Sequence, residues 1–199
     1  MTALRLPAPR RRDPLDVTNG SRRRRTSGAV GKQPVPSEAR IFVTVGTELP
    51  FDRLIAAVDD WAGATGRGRD VFAQIGHTSY VPRHIAWAPM IEGREFRQLF
   101  DRADLIVAHA GMGTILAALE LERPLVVVPR RADLGEHRND HQLATVARLA
   151  ERGLINGAND ERDVIPDLDG RADIRVAQRI DDVAPAMLID GIRRAIRGA

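Results

Sequence analysis

His109 closes the apolar run Leu105–Val107 and is followed at once by Gly111, Met112, Gly113 and Thr114. A buried strand that breaks at two glycines into a helix start gathers unpaired N–H groups and the positive end of a helix dipole at one point. A phosphate or other oxyanion fits such a point without a metal ion. Gly111 and Gly113 serve there either by adopting positive φ or by letting a ligand approach the backbone closely. Thr114 opens the helical run. His109 is the chain's candidate for proton transfer, although a histidine so placed more readily serves structure or donates to a phosphate or sugar hydroxyl.

A second concentration of reactive side chains spans Arg130–Gln142, with Arg130, Arg131, Glu136, His137, Arg138, Asp140, His141 and Gln142. His137 and His141 have the spacing of a helical zinc pair, but the segment reads HRNDH rather than HExxH and no third ligand is evident, so no metal is expected. Asp140 suits a helix cap, His137 the surface, and the pair His141 and Gln142 a ligand contact. The chain lacks a GK[ST] phosphate loop, a GxGxxG turn after its first strand and a GxSxG elbow. Nucleotide hydrolysis, dinucleotide binding and serine catalysis are thereby disfavoured, and no cofactor is expected.

The elements that must position these residues alternate in type. Strands are read at Ile41–Gly46, Val71–Gly76, His84–Ile91, Leu105–Val107 and Pro124–Pro129, with a further one in 154–159 and an edge near Ile174–Val176. Helices are read over 51–62, with Pro50 in the first turn, over Glu95–Ala103, from Thr114 to Glu122, over 143–153 with Gly153 as its stop, and over 183–199. Continuously apolar strands separated by helices imply a Rossmann-like α/β fold, a parallel sheet of about six strands covered on both faces. Ligands bind at the carboxyl ends of such strands. Gly46 and Thr47, Gln74 and Gly76, the His109–Gly113 loop and Arg130 all lie at such ends, so four strand ends are expected to share one crevice.

Charge is divided unevenly. Of the 30 basic and 27 acidic residues, ten and three fall within 1–40, leaving the remainder mildly acidic. Residues 1–39 combine prolines with two arginine runs and little apolar periodicity, the composition of a disordered basic leader, with an ordered domain over 40–199. A solvated tail is the plainest role for the leader, attraction to anionic lipid the next. Nucleic acid is not expected, because aromatic residues are not interleaved with the arginines. No apolar run approaches a membrane span, and the chain has no cysteine, which accords with a cytoplasmic address.

Five segments, in order, resemble the C-terminal, donor-binding domain of family-28 glycosyltransferases: FVTVGT at 42–47, FDRLI at 51–55, AHAGMGTIL at 108–116, RPLVVVPR at 123–130 and GEHRNDHQLA at 135–144. The likeness is to the short stand-alone forms, namely bacterial exopolysaccharide glycosyltransferase small subunits and the eukaryotic subunit of the dolichol-linked GlcNAc transferase. It implies half of a GT-B enzyme, working without a metal. A UDP-sugar donor would lie against His109–Thr114, with Gly46 and Thr47 at the interdomain cleft and Asp140, His141 and Gln142 toward the sugar. Where related transferases place a ribose-holding Glu, this chain has Ala117, which implies a nucleotide held differently.

A single half lacks an acceptor site. The resemblance therefore implies a donor-binding subunit that works with a membrane-anchored, acceptor-binding partner, transfers to a polyprenyl-linked saccharide, and sits at the inner face of the membrane through that partner. The alternative is a non-catalytic nucleotide-sugar-binding module.

Overall fold

The computed structural model describes residues 32–170, 174 and 176. Its centre is one six-stranded, wholly parallel sheet: β1 (Ile41–Thr44), β2 (Val71–Gln74), β3 (Ala86–Ala88), β4 (Leu105–His109), β5 (Leu125–Val128) and β6 (Asn156–Gly157), in the order β3-β2-β1-β4-β5-β6. This is the doubly wound order, with the topological switch between β1 and β4. Successive residues of each strand feed opposite cores. Ile41, Val43, Val107, Val126 and Val128 pack beneath α1 (Asp52–Thr65), whereas Phe42, Phe72, Ile106, Leu125 and Val127 pack on the other side. That second side is covered by α2 (Gly93–Arg102), α3 (Met112–Glu120) and α4 (His141–Glu151). Burial on both faces is why the strands read as unbroken apolar runs rather than as alternating ones.

The second core is organised by aromatic rings. Phe42 meets Phe96 and Phe100 edge to face, at centroid separations of 5.4 and 5.8 Å. Such pairs add about 0.5–1.5 kcal/mol beyond area burial, fixing α2 against β1. On the first side, α1 carries Leu54, Ile55, Val58 and Trp61 inward, and a short α5 (Ile165–Leu168) lies beside it.

Several boundaries differ from the sequence reading. Pro50 precedes the cap residue Phe51 rather than joining the first turn, and α3 begins at Met112, two residues before Thr114. The third strand contracts to three residues and the sixth to two. Gly153 follows α4 as expected: at φ +67 its N–H and that of Leu154 turn back to the carbonyls of Ala150 and Leu149. Order begins before Arg40. Gln33 donates its N–H to the Trp87 carbonyl on edge strand β3, Val35 packs against the second core, and Lys32 pairs with Glu95. Val176 makes an isolated antiparallel bridge to Pro124. The helix read over 183–199 and the leader before Lys32 lie outside the described residues.

Candidate anion-binding cleft

The chain exits of β1, β4 and β5 meet at the switch point. There the starts of α3 and α4 close a cleft of about 410 Å³ lined by Gly46, Thr47, Glu48, His109–Thr114, Arg130, His137, His141, Gln142 and Thr145. A groove of about 570 Å³ elsewhere, between α1 and Ile165, is lined by alanines, Trp61, the Arg53–Glu161 pair, Asp60 and Arg162. Size alone does not select a site; unspent polar groups do.

His109 is locked in the cleft wall by two glycines. Gly46 turns at φ +75, and a Cβ there would lie 2.6 Å from the imidazole Cε1. A Cβ on Gly111 would lie 2.4 Å from its Nε2. The ring thus occupies the space that two side chains would need. Burial, and next the Arg130 charge, push its pKa down to about 4, with the Thr44 main chain pulling the other way. The imidazole is therefore neutral at pH 7 and too weak a base for efficient general-base work. Its Nδ1 is buried without a hydrogen-bond partner.

Helix α3 begins at this ring. Gly111 is its N-cap, with φ −85 and no side chain to cap the helix, so the first-turn N–H groups of Met112, Gly113 and Thr114 point outward. Neither Gly111 nor Gly113 adopts positive φ. Gly111 is needed for its approach to His109. At Gly113 an added Cβ would meet nothing within 4 Å, which leaves open space beside the helix end.

Arg130 supplies the charge. It is 3% exposed, and among the described residues it has no carboxylate partner. Its Nη2 donates to the carbonyls of Val45, at 2.7 Å, and Leu49, while its Nε is buried unpaired. Burial lowers its pKa from the ordinary arginine value, and the charges of Glu136 and Glu48 oppose that shift. The guanidinium remains a cation. A buried cation held by two carbonyls and an aromatic face, with no carboxylate, retains part of its desolvation cost, and an incoming anion would offset it.

The structure divides the remaining sequence candidates. His141 and Gln142 face the cleft, but the Gln142 Oε1 accepts the Arg130 N–H at 3.0 Å and so also braces the strand exit. Asp140 is the N-cap residue of α4 without capping it, since its carboxylate accepts the Ala132 N–H at 2.9 Å inside the loop. Asp140 does not line the cleft. Gln74 and Gly76 do not either: Gln74 is 3% exposed within the sheet, and Gly76 backs onto the Gly46 carbonyl. Three strand ends share the crevice, not four: those of β1, β4 and β5, with the end of β2 outside it on the far side of β1. Ala117 packs into the second core.

His137, read as a surface residue, joins the cleft, and its ring meets that of His141 edge to face at 4.5 Å. Among the described residues no group of three or more His, Asp or Glu could hold a metal ion, and no helix is long and apolar enough to cross a membrane. Glu48 and Thr145 went unsingled in the sequence, having no motif to mark them. Arg53 was missed as well, although a cation in the first turn of a helix opposes the dipole and so signals an acidic partner.

Residues 40–165 match the glycosyltransferase family 28 C-terminal domain. The human UDP-N-acetylglucosamine transferase subunit ALG13 is 33% identical over 124 residues, which are 58% of this chain and 10% of that protein. Its mouse counterpart is 30% identical over 125 residues, with the same coverage. This chain therefore spans about a tenth of the length of these curated relatives. An NMR solution structure of ALG13 superimposes with a TM-score of 0.51 at 19% identity, covering 79% of this chain and 94% of that one, a likeness of fold. The architecture is an open, parallel, Rossmann-like sheet with a core on each face. With more than half of its length matched, the chain belongs to the glycosyltransferase family 28 C-terminal domain family.

Proposed function

We propose that the cleft binds the diphosphate of a UDP-sugar and that the chain is the donor-binding subunit of a two-component glycosyltransferase. The observation that carries this reading is the Arg130 guanidinium, buried without a carboxylate beside the uncapped start of α3. In a transfer reaction an acceptor hydroxyl attacks the anomeric carbon, its proton passes to a base, and the bond to the diphosphate breaks. The leaving diphosphate gains negative charge as that bond breaks. Fixed N–H groups and a fixed cation, already desolvated, stabilise that charge without reorganising. Gly113 gives the phosphates room, neutral His109 offers a hydrogen bond, and Thr47, His141 and Gln142 face the sugar.

In this reading a second, membrane-anchored polypeptide holds the polyprenyl-linked acceptor and supplies the base, a role to which His109, with its lowered pKa, is poorly suited. Exposed Met90, Met112, Leu134 and Leu143 follow the carboxyl ends of three strands or start α4, giving that partner an apolar rim to cover. The weakness of His109 as a base equally favours a second reading, a nucleotide-sugar-binding module without catalysis.

Titration calorimetry with UDP tests the site. Wild-type protein is expected to bind, and Arg130→Met to weaken binding by about tenfold or more, the scale of a lost charge-assisted contact. An absence of heat from wild-type protein, even with the partner supplied, would sink the donor-site reading. Transfer that appears only on adding the partner favours the enzyme subunit over the non-catalytic module.

A further inference from the structure

The cleft's cation is aimed by a chain exit that three different elements hold. Three main-chain polar groups, on two consecutive peptide units leaving β5, are each satisfied by a side chain. The Pro129 carbonyl accepts from Arg53 Nη2 at 2.8 Å, the Arg130 N–H donates to Gln142, and the Arg131 N–H donates to Glu136 Oε2 at 3.0 Å. Arg53, on the first turn of α1, also grips Glu136 through Nε to Oε1 at 2.6 Å and Nη2 to Oε2 at 3.1 Å. Its remaining nitrogen, Nη1, pairs with Glu161 at 2.5 Å.

One guanidinium therefore fixes both the residue before Arg130 and the middle of the Arg131–Asp140 loop. That loop has no regular secondary structure of its own, yet it carries His137 into the cleft. Further ties within the loop run from the Ala132 N–H to Asp140, from the Glu136 N–H to the Arg131 carbonyl, from the Gly135 N–H to the Ala132 carbonyl and from Arg131 to Asp133. A fork is needed here. Lysine would keep the charge but could not engage Glu136 with two parallel bonds and the carbonyl with a third.

We propose that Arg53, acting through Glu136 and the Pro129 carbonyl, is a positioning residue that aims Arg130 and the His137 loop at the donor's diphosphate. The proposal rests on the donor-site reading above and adds a residue that touches no ligand. It makes Arg53 responsible for the geometry of the anion site rather than for its charge.

The discriminating measurement is the ratio of UDP to UMP affinity, because misaiming Arg130 costs the second phosphate more than the rest of the nucleotide. Arg53→Lys and Glu136→Gln are expected to lower that ratio by about tenfold, the scale of a site left loose by its supporting shell. Asp59→Asn is the control for stability. Asp59 is buried far from the cleft and accepts from Tyr80, Arg83, His84 and Ile85, so its loss should lower the melting temperature with the ratio unchanged. A wild-type ratio in Arg53→Lys would overturn the proposal while leaving the donor site standing. Should wild-type protein bind neither nucleotide, the donor-site reading falls instead. Amide exchange at Arg131 then decides the pin: faster exchange in Arg53→Lys supports it, and unchanged exchange overturns it.

Discussion

Arg53 and Arg130 approach the same Phe51 ring, at 4.8 and 5.4 Å from its centroid, from opposite neighbourhoods. Arg53 has two glutamates and a carbonyl, and its side chain is 16% exposed. Burial works to lower its pKa, but the bonds to Glu136 and Glu161 outweigh this and raise it. Arg130 is more deeply buried, holds two carbonyls, and has its pKa lowered. Around one aromatic ring, the fold pairs one cation with two carboxylates and leaves the other, among the described residues, without any. A scaffold compensates the charges it uses to hold itself together, and a binding site withholds that compensation until the ligand supplies it.

Exchanging each arginine for methionine is the most forceful way to break this contrast. Arg53→Met leaves Glu136 and Glu161 partly buried without their cation, and should cost about 3 kcal/mol in chemical denaturation. Arg130→Met frees two carbonyls but removes a buried charge, so its cost should be about 1 kcal/mol. Equal losses of stability would show that the two arginines are not differently employed.

Acid comes next in size. The His109 pKa falls from 6.5 to about 4 on folding, so the unfolded chain takes up a proton that the folded chain refuses. The associated stability is full above pH 6.5 and is lost as pH falls from there toward 4, by up to about 3 kcal/mol. An NMR titration should place the His109 midpoint near 4, and in Arg130→Met it should move upward because one cause of the depression is gone. A midpoint that ignores Arg130 would mean the cation does not act on the ring.

The finest test separates two neighbouring glycines. Gly113→Ala adds a methyl group to open space within a helix, and should leave stability unchanged or raise it by about 0.5–1 kcal/mol while weakening UDP binding. Gly111→Ala would drive into the His109 ring and should lower stability and binding together. If Gly113→Ala bound UDP as tightly as wild type, no ligand would approach the start of α3 closely.

Much of the fold was legible in local pattern. Ile41–Thr44, Val71–Gln74 and Leu125–Val128 could be read because a parallel strand buried on both faces is apolar nearly throughout, with only the last positions of the first two, Thr44 and Gln74, polar. The glycine-punctuated end of β4 marked the helix start for a similarly local reason, since it tells where the chain turns. Other features had no local mark. Gln74 and Gly76 close β2 much as Gly46 and Thr47 close β1, yet only the β1 pair lines the cleft, which depends on the elements packed beside each strand end. Gly111, expected either to adopt positive φ or to admit a ligand to the backbone, makes room for the His109 ring, which became visible only with that ring in place.

Sequence by itself determined the alternation of strands and helices, the family, and the segments where phosphate chemistry was to be sought. These follow from side-chain periodicity and backbone allowance, which act within a few residues. Tertiary structure alone decided which charges are spent: Arg53 meets Glu136 and Glu161 across 83 and 108 residues of chain, and Arg130 meets no acid among the described residues. Coulomb energy and desolvation depend on distance and burial in space, and no spacing along the chain encodes either one.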